Sequence, residues 1–126
     1  MKSVITAFVI FILIVVMMIL SYVYVNSVTD NMLACIYKVE NEFSKELWES
    51  SHYETEKLSK VWKNSRIVMS ALYSHQLIDE VDKSVGKLKN SVKTRKKEDF
   101  LYEKSNLILL ISRLVEQQKI TVGNVL

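Results

Sequence analysis

The chain contains no proline and only two glycines, Gly86 and Gly123. Folds built from strands and tight turns need these residues at their corners, whereas helices avoid both. The sequence therefore predicts an all-α fold. Its 126 residues allow one domain and an anchor, because the part beyond the apolar N-terminus is long enough for one modest core.

An uncharged, apolar segment runs from Val4 to Val25. At about 1.5 Å per residue it covers roughly 33 Å, which is long enough to cross a bilayer. Tyr22 and Tyr24 stand near its end, where the aromatic belt of a membrane interface is expected. The apolar region of a secretory signal is usually only about 7 to 15 residues long. We therefore interpret the segment as a transmembrane helix.

Two short motifs after this segment resemble processing sites. Val25-Asn26-Ser27 is similar to a signal-peptidase site, so cleavage after Ser27 stays open. Leu33-Ala34-Cys35 is similar to a lipoprotein site, but nine residues separate the apolar segment from the cysteine, which in lipoproteins follows the apolar run directly. We therefore interpret Cys35 as part of a helix face. A single cysteine excludes an internal disulfide, and a link between two chains remains the alternative.

The basic residues around the segment predict its orientation. Lys2 precedes the segment, and the next basic residue is Lys38. By the positive-inside rule the N-terminus stays in the cytoplasm. The predicted location is the cell membrane, with a single pass and an extracytoplasmic body.

Apolar residues recur at three- and four-residue spacing in four stretches of the body. The stretches run from Val28 to Leu47, from Leu58 to Tyr73, from Ile78 to Val92 and from Phe100 to Val115. Their short connections predict an antiparallel helical bundle of about four helices. The first of them either continues the membrane helix or starts afresh at a cap.

Breaks in these patterns place the connections and the domain limits. Ser51 and Glu54 have the spacing of a capping box, which predicts that the second helix starts there. The chain divides into a membrane anchor at 1–25, with the transmembrane helix at 4–25, a helical bundle at 26–118 and a C-terminal tail at 119–126. The tail has no periodicity, and we expect it to pack as a short cap or to fray.

The charges of the body are distributed unevenly. Residues 26–56 carry seven acidic residues and two lysines, whereas residues 83–97 carry seven basic residues and no acidic one. The ordinary interpretation is a solvated helix face, and the alternative is an interaction surface for anionic lipid headgroups, wall polymers or an acidic protein. The basic residues of this candidate surface are Lys83, Lys87, Lys89, Lys93, Arg95, Lys96 and Lys97. No aromatic residues are interleaved for base stacking, so nucleic acid is not an expected partner.

The sequence offers little catalytic chemistry. Glu49 and His52 have the Glu-x-x-His spacing of di-iron bundles, but His75, the other histidine, has Leu72 three residues before it instead of a glutamate. Phosphate-binding loops and hydrolase motifs are absent from the sequence. We predict no catalytic residue, no metal site and no cofactor.

Several segments of the chain resemble a known bacterial family. These are "ELWESS" with Trp48, a second tryptophan at Trp62, the segment "SHQLIDEVDKSVGKLKNSVKT" and the final "ITVGNVL". They are similar to the family called domain of unknown function 4363, found mostly in spore-forming Gram-positive bacteria. Where that pattern has a glutamate before the Ile-Asp pair, this chain has Leu77. The resemblance implies a small membrane-anchored helical protein with a membrane protein as its partner.

Three functions are compatible with these observations. The leading hypothesis is a non-enzymatic accessory or structural subunit that is anchored in the lipid bilayer and docks on another membrane or envelope protein. A ligand-sensing extracytoplasmic bundle is the alternative, and a metal-binding bundle centred on Glu49 and His52 is a third. The oligomeric state is open, and a homo-oligomer is compatible with the sequence.

Overall fold

The structure, a computed structural model, describes residues 1–125. It consists of four helices, α1 (Lys2–Ser44), α2 (Trp48–Leu72), α3 (His75–Thr94) and α4 (Lys97–Val125). Each helix packs on its neighbour in sequence, and α1 also packs on α4. Short connections make these neighbours antiparallel, so the helices close an up-down-up-down bundle. The all-α prediction is confirmed.

The first helix runs for 43 residues without interruption. The hydroxyl of Thr29 donates to the carbonyl oxygen of Val25 at 2.8 Å, so Thr29 lies within the helix instead of capping a new one. At about 1.5 Å per residue the helix is roughly 64 Å long. Of the two arrangements that the sequence left open, the structure has the continuous one.

The core of the bundle is filled by the apolar stripes predicted from the sequence. Val25, the first residue of this core along the chain, has no exposed surface. The largest wholly buried side chains of the four helices include Met32, Ile36, Leu58, Met69, Ile78, Leu88, Phe100, Leu107, Ile111 and Leu114. Burial of these side chains supplies most of the favourable free energy of folding.

The start of α2 differs from the prediction. Ser51 does not cap the helix, because it is wholly buried and its hydroxyl donates to the carbonyl oxygen of Leu47 at 2.8 Å. The reason lies in the preceding turn. Glu46 has a positive φ of 59°, and the amide of Leu47 donates to the carbonyl oxygen of Glu42. A left-handed residue closes α1 in this way, so α2 can begin directly at Trp48.

The other two connections fall in the gaps between the apolar stretches, after Tyr73 and after Val92. Ser74 caps α3, where its side-chain oxygen accepts a hydrogen bond from the amide of Leu77 at 3.3 Å. Arg95 ends α3 in the left-handed conformation, with φ of 59°. Both connections are tight, which keeps α2, α3 and α4 in register.

The C-terminal tail expected from the sequence is part of α4. The helix runs on to Val125, and the hydroxyl of Thr121 donates to the carbonyl oxygen of Gln117 at 2.9 Å within it. The backbone continues as a helix without an apolar stripe of its own because it lies beside α1, as Thr121 and Ile14 show by lining one groove. Leu126 lies outside the described residues.

Candidate interaction surfaces

The N-terminal half of α1, residues 4–24, is largely exposed and apolar, and we call it the apolar rod. Phe8, Leu13 and Leu20 expose 63%, 59% and 61% of their surface. By length and composition α1 can cross a membrane, and a signal sequence near the N-terminus has the same properties. These properties are compatible with a membrane anchor or a signal sequence at this place.

Tyr22 and Tyr24 lie where the exposed rod meets the bundle. Both are half-buried, and Tyr24 packs against the core. Val25 beyond them is already inside the core. Their role at a membrane interface stays a prediction, but their position at the junction is compatible with it.

The seven basic residues of the candidate surface lie along two edges of α3 and at one end of the bundle. Lys83 and Lys87 lie on the α4 side, where they line a shallow pocket of 510 Å³ together with Asp99 and Glu103. Opposite charges line the two sides of this pocket. These two lysines therefore face α4 across a solvated cleft.

Lys89 lies on the opposite edge, beside α2. Its ammonium group pairs with the carboxylate of Glu56 at 2.5 Å. This hydrogen bond lowers the pKa of the Glu56 carboxyl below its ordinary value. Lys89 thus stabilises the contact between α2 and α3 and is engaged within the bundle.

Lys93, Arg95, Lys96 and Lys97 lie at the end of the bundle that is distant from the apolar rod. The guanidinium of Arg95 lies over the ring of Trp48, 5.1 Å from its centroid. Lys96 and Lys97 are exposed at the connection between α3 and α4. The candidate surface is therefore divided between the two edges of α3 and this distal end.

An aromatic cluster packs at the same distal end of the bundle. Phe43 of α1 stacks on Phe100 of α4 with 4.3 Å between ring centroids, and Trp48 meets the edge of Phe43 at 5.2 Å. Phe43 and Phe100 are buried, whereas Trp48 is half-buried. Trp62 is 3% exposed and belongs to the core, whereas Trp48 lies at the border of the core.

The buried tryptophan takes part in a polar contact between α2 and α3. The indole Nε1 of Trp62 donates to Asp82 Oδ1 at 2.6 Å, and Arg66 Nε donates to Asp82 Oδ2 at 2.9 Å. No local pattern in the sequence indicates this set, because Asp82 is 20 residues from Trp62 and 16 residues from Arg66. Only the packing of two helices brings the three side chains together.

Glu49 and His52 do not form a recognisable metal site. The nearest acidic partner of His52 is Glu56, 3.6 Å from its Nε2, and both side chains are about half exposed. Within residues 1–125, no group of three or more His, Cys, Asp or Glu side chains is placed to hold a metal ion. The carboxylate and the imidazole belong to the surface of α2.

Cys35 lies on α1 at the edge of the core. It is half-buried and packs against the buried apolar residues. Burial, with a smaller contribution from Glu54, raises the pKa of the Cys35 thiol above its ordinary value. Because the thiolate is the reactive form, this cysteine is a weak nucleophile in the folded protein.

The fold and these surfaces define a class of protein, namely an antiparallel four-helix bundle that is extended at one end by an exposed apolar helix. Within this class, the chain belongs to the family described as "domain of unknown function (DUF4363)", whose model matches residues 19–125. The match includes the whole bundle and the last part of the apolar segment. No curated protein and no solved structure matches the chain.

Proposed function

We propose that the protein is a non-enzymatic, membrane-anchored accessory subunit that docks on another membrane or envelope protein. One observation carries this proposal: α1 is a single helix whose apolar half is exposed and whose second half is in the bundle core. The exposed half meets the length and composition requirements of a membrane span. The same helix therefore serves as the membrane anchor and as part of the bundle core.

The continuity of α1 has a mechanical consequence. A flexible linker would let the bundle move freely over the membrane, whereas a continuous helix holds it at a fixed height and angle. A fixed height helps a subunit that must meet a particular surface of a neighbouring membrane protein. This property supports a docking role over that of a loosely tethered domain.

The charges at the distal end offer a surface for the partner. Lys96 and Lys97 project from the connection between α3 and α4, and in residues 1–125 neither of them forms an ion pair. Their charges are thus available to an acidic partner surface. Charge complementarity of this kind directs association and contributes specificity.

The docking proposal is tested by crosslinking in cells, followed by purification of the full chain in mild detergent. We expect a specific membrane or envelope protein to be recovered with it, and the double variant Lys96→Glu, Lys97→Glu to reduce the recovery about tenfold or more. The double variant Lys60→Glu, Lys63→Glu on the exposed face of α2 is the matched control and should retain the partner. Recovery of free monomer alone would contradict the proposal.

The proposed orientation, with the bundle outside the cytoplasm, has a separate test. A variant with Cys35→Ala and Asn64→Cys carries one exposed thiol on α2, and a variant with Cys35→Ala and Ser3→Cys carries one near the N-terminus and keeps Lys2. We expect a membrane-impermeant maleimide to label Asn64→Cys in intact cells and Ser3→Cys only after permeabilisation. The reverse pattern would place the bundle in the cytoplasm.

A further inference from the structure

Three stretches without charged side chains meet at one end of the bundle. They are 4–29 in α1, 67–78 across the connection between α2 and α3, and 120–125 at the end of α4. None of the three contains Asp, Glu, Lys or Arg. Because neighbouring helices are antiparallel, all three lie at the end of the bundle from which the apolar rod projects. We call this end the uncharged rim.

Charged side chains begin where each uncharged stretch of the bundle ends, at Arg66 in α2, Asp79 in α3 and Lys119 in α4. Arg66 lies 3.8 Å from Asp79 between α2 and α3, and Arg113 lies 3.5 Å from Glu80 between α4 and α3. Asp30 is the first charged residue of α1 after the rod. The change from uncharged to charged residues therefore occurs in all four helices, as is expected at the border between lipid and water.

The uncharged rim also exposes large apolar side chains. Ile67 exposes 84% of its surface, Val68 exposes 44%, and Ile120 on α4 exposes 59%. These residues flank the place where the rod leaves the bundle. Apolar surface on several helices at one end of a bundle marks a contact site with an apolar medium or partner.

A groove of 480 Å³ lies between the rod and the ends of α2 and α4. Its lining includes Ile14 and Met18 of α1, Leu72 of α2, and Thr121 and Val122 of α4. At about 1.5 Å per residue, Met18 and Ile14 lie roughly 10 and 16 Å along the rod from Val25. The ends of α2 and α4 thus lie beside residues that a membrane span places in hydrocarbon.

We propose that the uncharged rim is immersed in the bilayer leaflet on the bundle's side and that the groove holds an acyl chain of a phospholipid. This inference rests on the membrane anchoring in the proposed function. The size of the groove favours lipid over a partner helix, because two turns of a helix about 10 Å across occupy roughly 850 Å³. The protein is then embedded in the bilayer through one span and the end of its bundle.

Immersion is tested with the full chain in phosphatidylcholine vesicles whose acyl chains carry bromine, a quencher of fluorescence. In a Cys35→Ala background, single cysteines at Val68→Cys, Ile120→Cys and Met17→Cys carry a polarity-sensitive fluorophore. Leu101→Cys is the matched control, since Leu101 is an apolar residue with 43% exposure at the distal end. We expect brominated lipid to reduce the fluorescence at least twofold at Val68, Ile120 and Met17 and to leave Leu101 unchanged.

Two negative outcomes distinguish failure of the rim immersion from failure of the membrane anchoring. Quenching at Met17 without quenching at Val68 and Ile120 overturns the immersion of the rim and leaves the anchor intact. Absence of quenching at all positions, including Met17, overturns the anchor as well.

The occupant of the groove is tested with a phosphatidylcholine that carries a photoreactive group in its acyl chain. We expect crosslinks at residues that line the groove, and we expect Val122→Trp, which fills it, to reduce them at least threefold. Leu101→Trp is the control and should leave them unchanged. Crosslinks that are absent, or that Val122→Trp does not reduce, overturn the acyl-chain proposal.

Discussion

The indole nitrogen of Trp62 and the carboxylate of Asp82 are joined by a hydrogen bond of 2.6 Å that connects α2 to α3. The same carboxylate accepts from Arg66. Desolvation opposes ionisation of Asp82, but the hydrogen bonds from Arg66 and Trp62 outweigh it and hold the pKa of the carboxyl below its ordinary value. A charged Asp82 is therefore part of the stable fold.

Asp82→Asn should destabilise the protein by about 1 kcal/mol, because the ion pair with Arg66 is lost while the amide oxygen can still accept from Trp62. Asp79→Asn is the matched control, since Asp79 lies 3.8 Å from Arg66 with its side chain 62% exposed. It should change the free energy of unfolding much less. Thermal unfolding of the full chain in mild detergent, followed by circular dichroism, measures both, and equal losses would contradict the assigned role of Asp82.

The lowered pKa of Asp82 also predicts an acid dependence. The carboxyl loses protons more readily in the folded chain than in the unfolded one, so its contribution to stability is complete above its ordinary pKa and is lost as the pH falls through the lower, folded value. The free energy of unfolding of the parent protein should decline over this range. In Asp82→Asn the decline should be smaller, and an unchanged decline would assign it to other carboxyl groups.

The stacked pair of Phe43 and Phe100 predicts a site where truncation of a side chain strongly destabilises the bundle. Phe100→Ala should cost about 3 to 5 kcal/mol, because it removes a buried ring and leaves a cavity between α1 and α4. Leu101→Ala, the neighbouring residue on the exposed side, should cost less than about 0.5 kcal/mol. Denaturant unfolding of the two variants gives the comparison, and similar costs would place Phe100 outside the core.

Gly86 offers a stabilising substitution. It lies within α3, and a Cβ added to it would meet no atom within 4 Å. Gly86→Ala should therefore raise the free energy of unfolding by about 0.5 to 1 kcal/mol. If the variant is more stable but recovers less of a docked partner, then the glycine serves close approach of that partner to α3. A loss of stability would contradict the conclusion that α3 has open space for a Cβ at this position.

Cys35 should react slowly with alkylating agents in the folded protein. Burial raises the pKa of its thiol, so the thiolate is scarce at neutral pH. We expect the rate of alkylation by iodoacetamide to rise with pH over a higher range in the folded chain than in the unfolded chain, and to rise at any fixed pH when the chain is unfolded. Equal rates in the folded and unfolded chains would contradict the placement of Cys35 against the core.

Local features of the sequence were sufficient to predict the helices and most of their buried faces. The absence of proline, the uncharged run from Val4 to Val25 and the apolar stripes all act through neighbours within a turn or two of helix. They predicted an apolar membrane-length helix, a bundle of about four helices and most of the core, and they left open whether the apolar helix continues into the bundle. They failed at Ser51, where the spacing of a capping box is present but the left-handed Glu46 had already closed the turn.

Contacts between residues far apart in sequence depended on the tertiary structure. Whether Lys89 meets a carboxylate or solvent depends on the rotation of α3 against α2, and the partners of Asp82 depend on the same packing. The end of α4 remains helical beside the rod although its own residues have no apolar period. The sequence by itself thus determined which surfaces must be buried, because periodicity is a local property. Only the packing of the helices decided which charges are paired, which are free, and which end of the bundle lacks charge, because these properties depend on several helices at once.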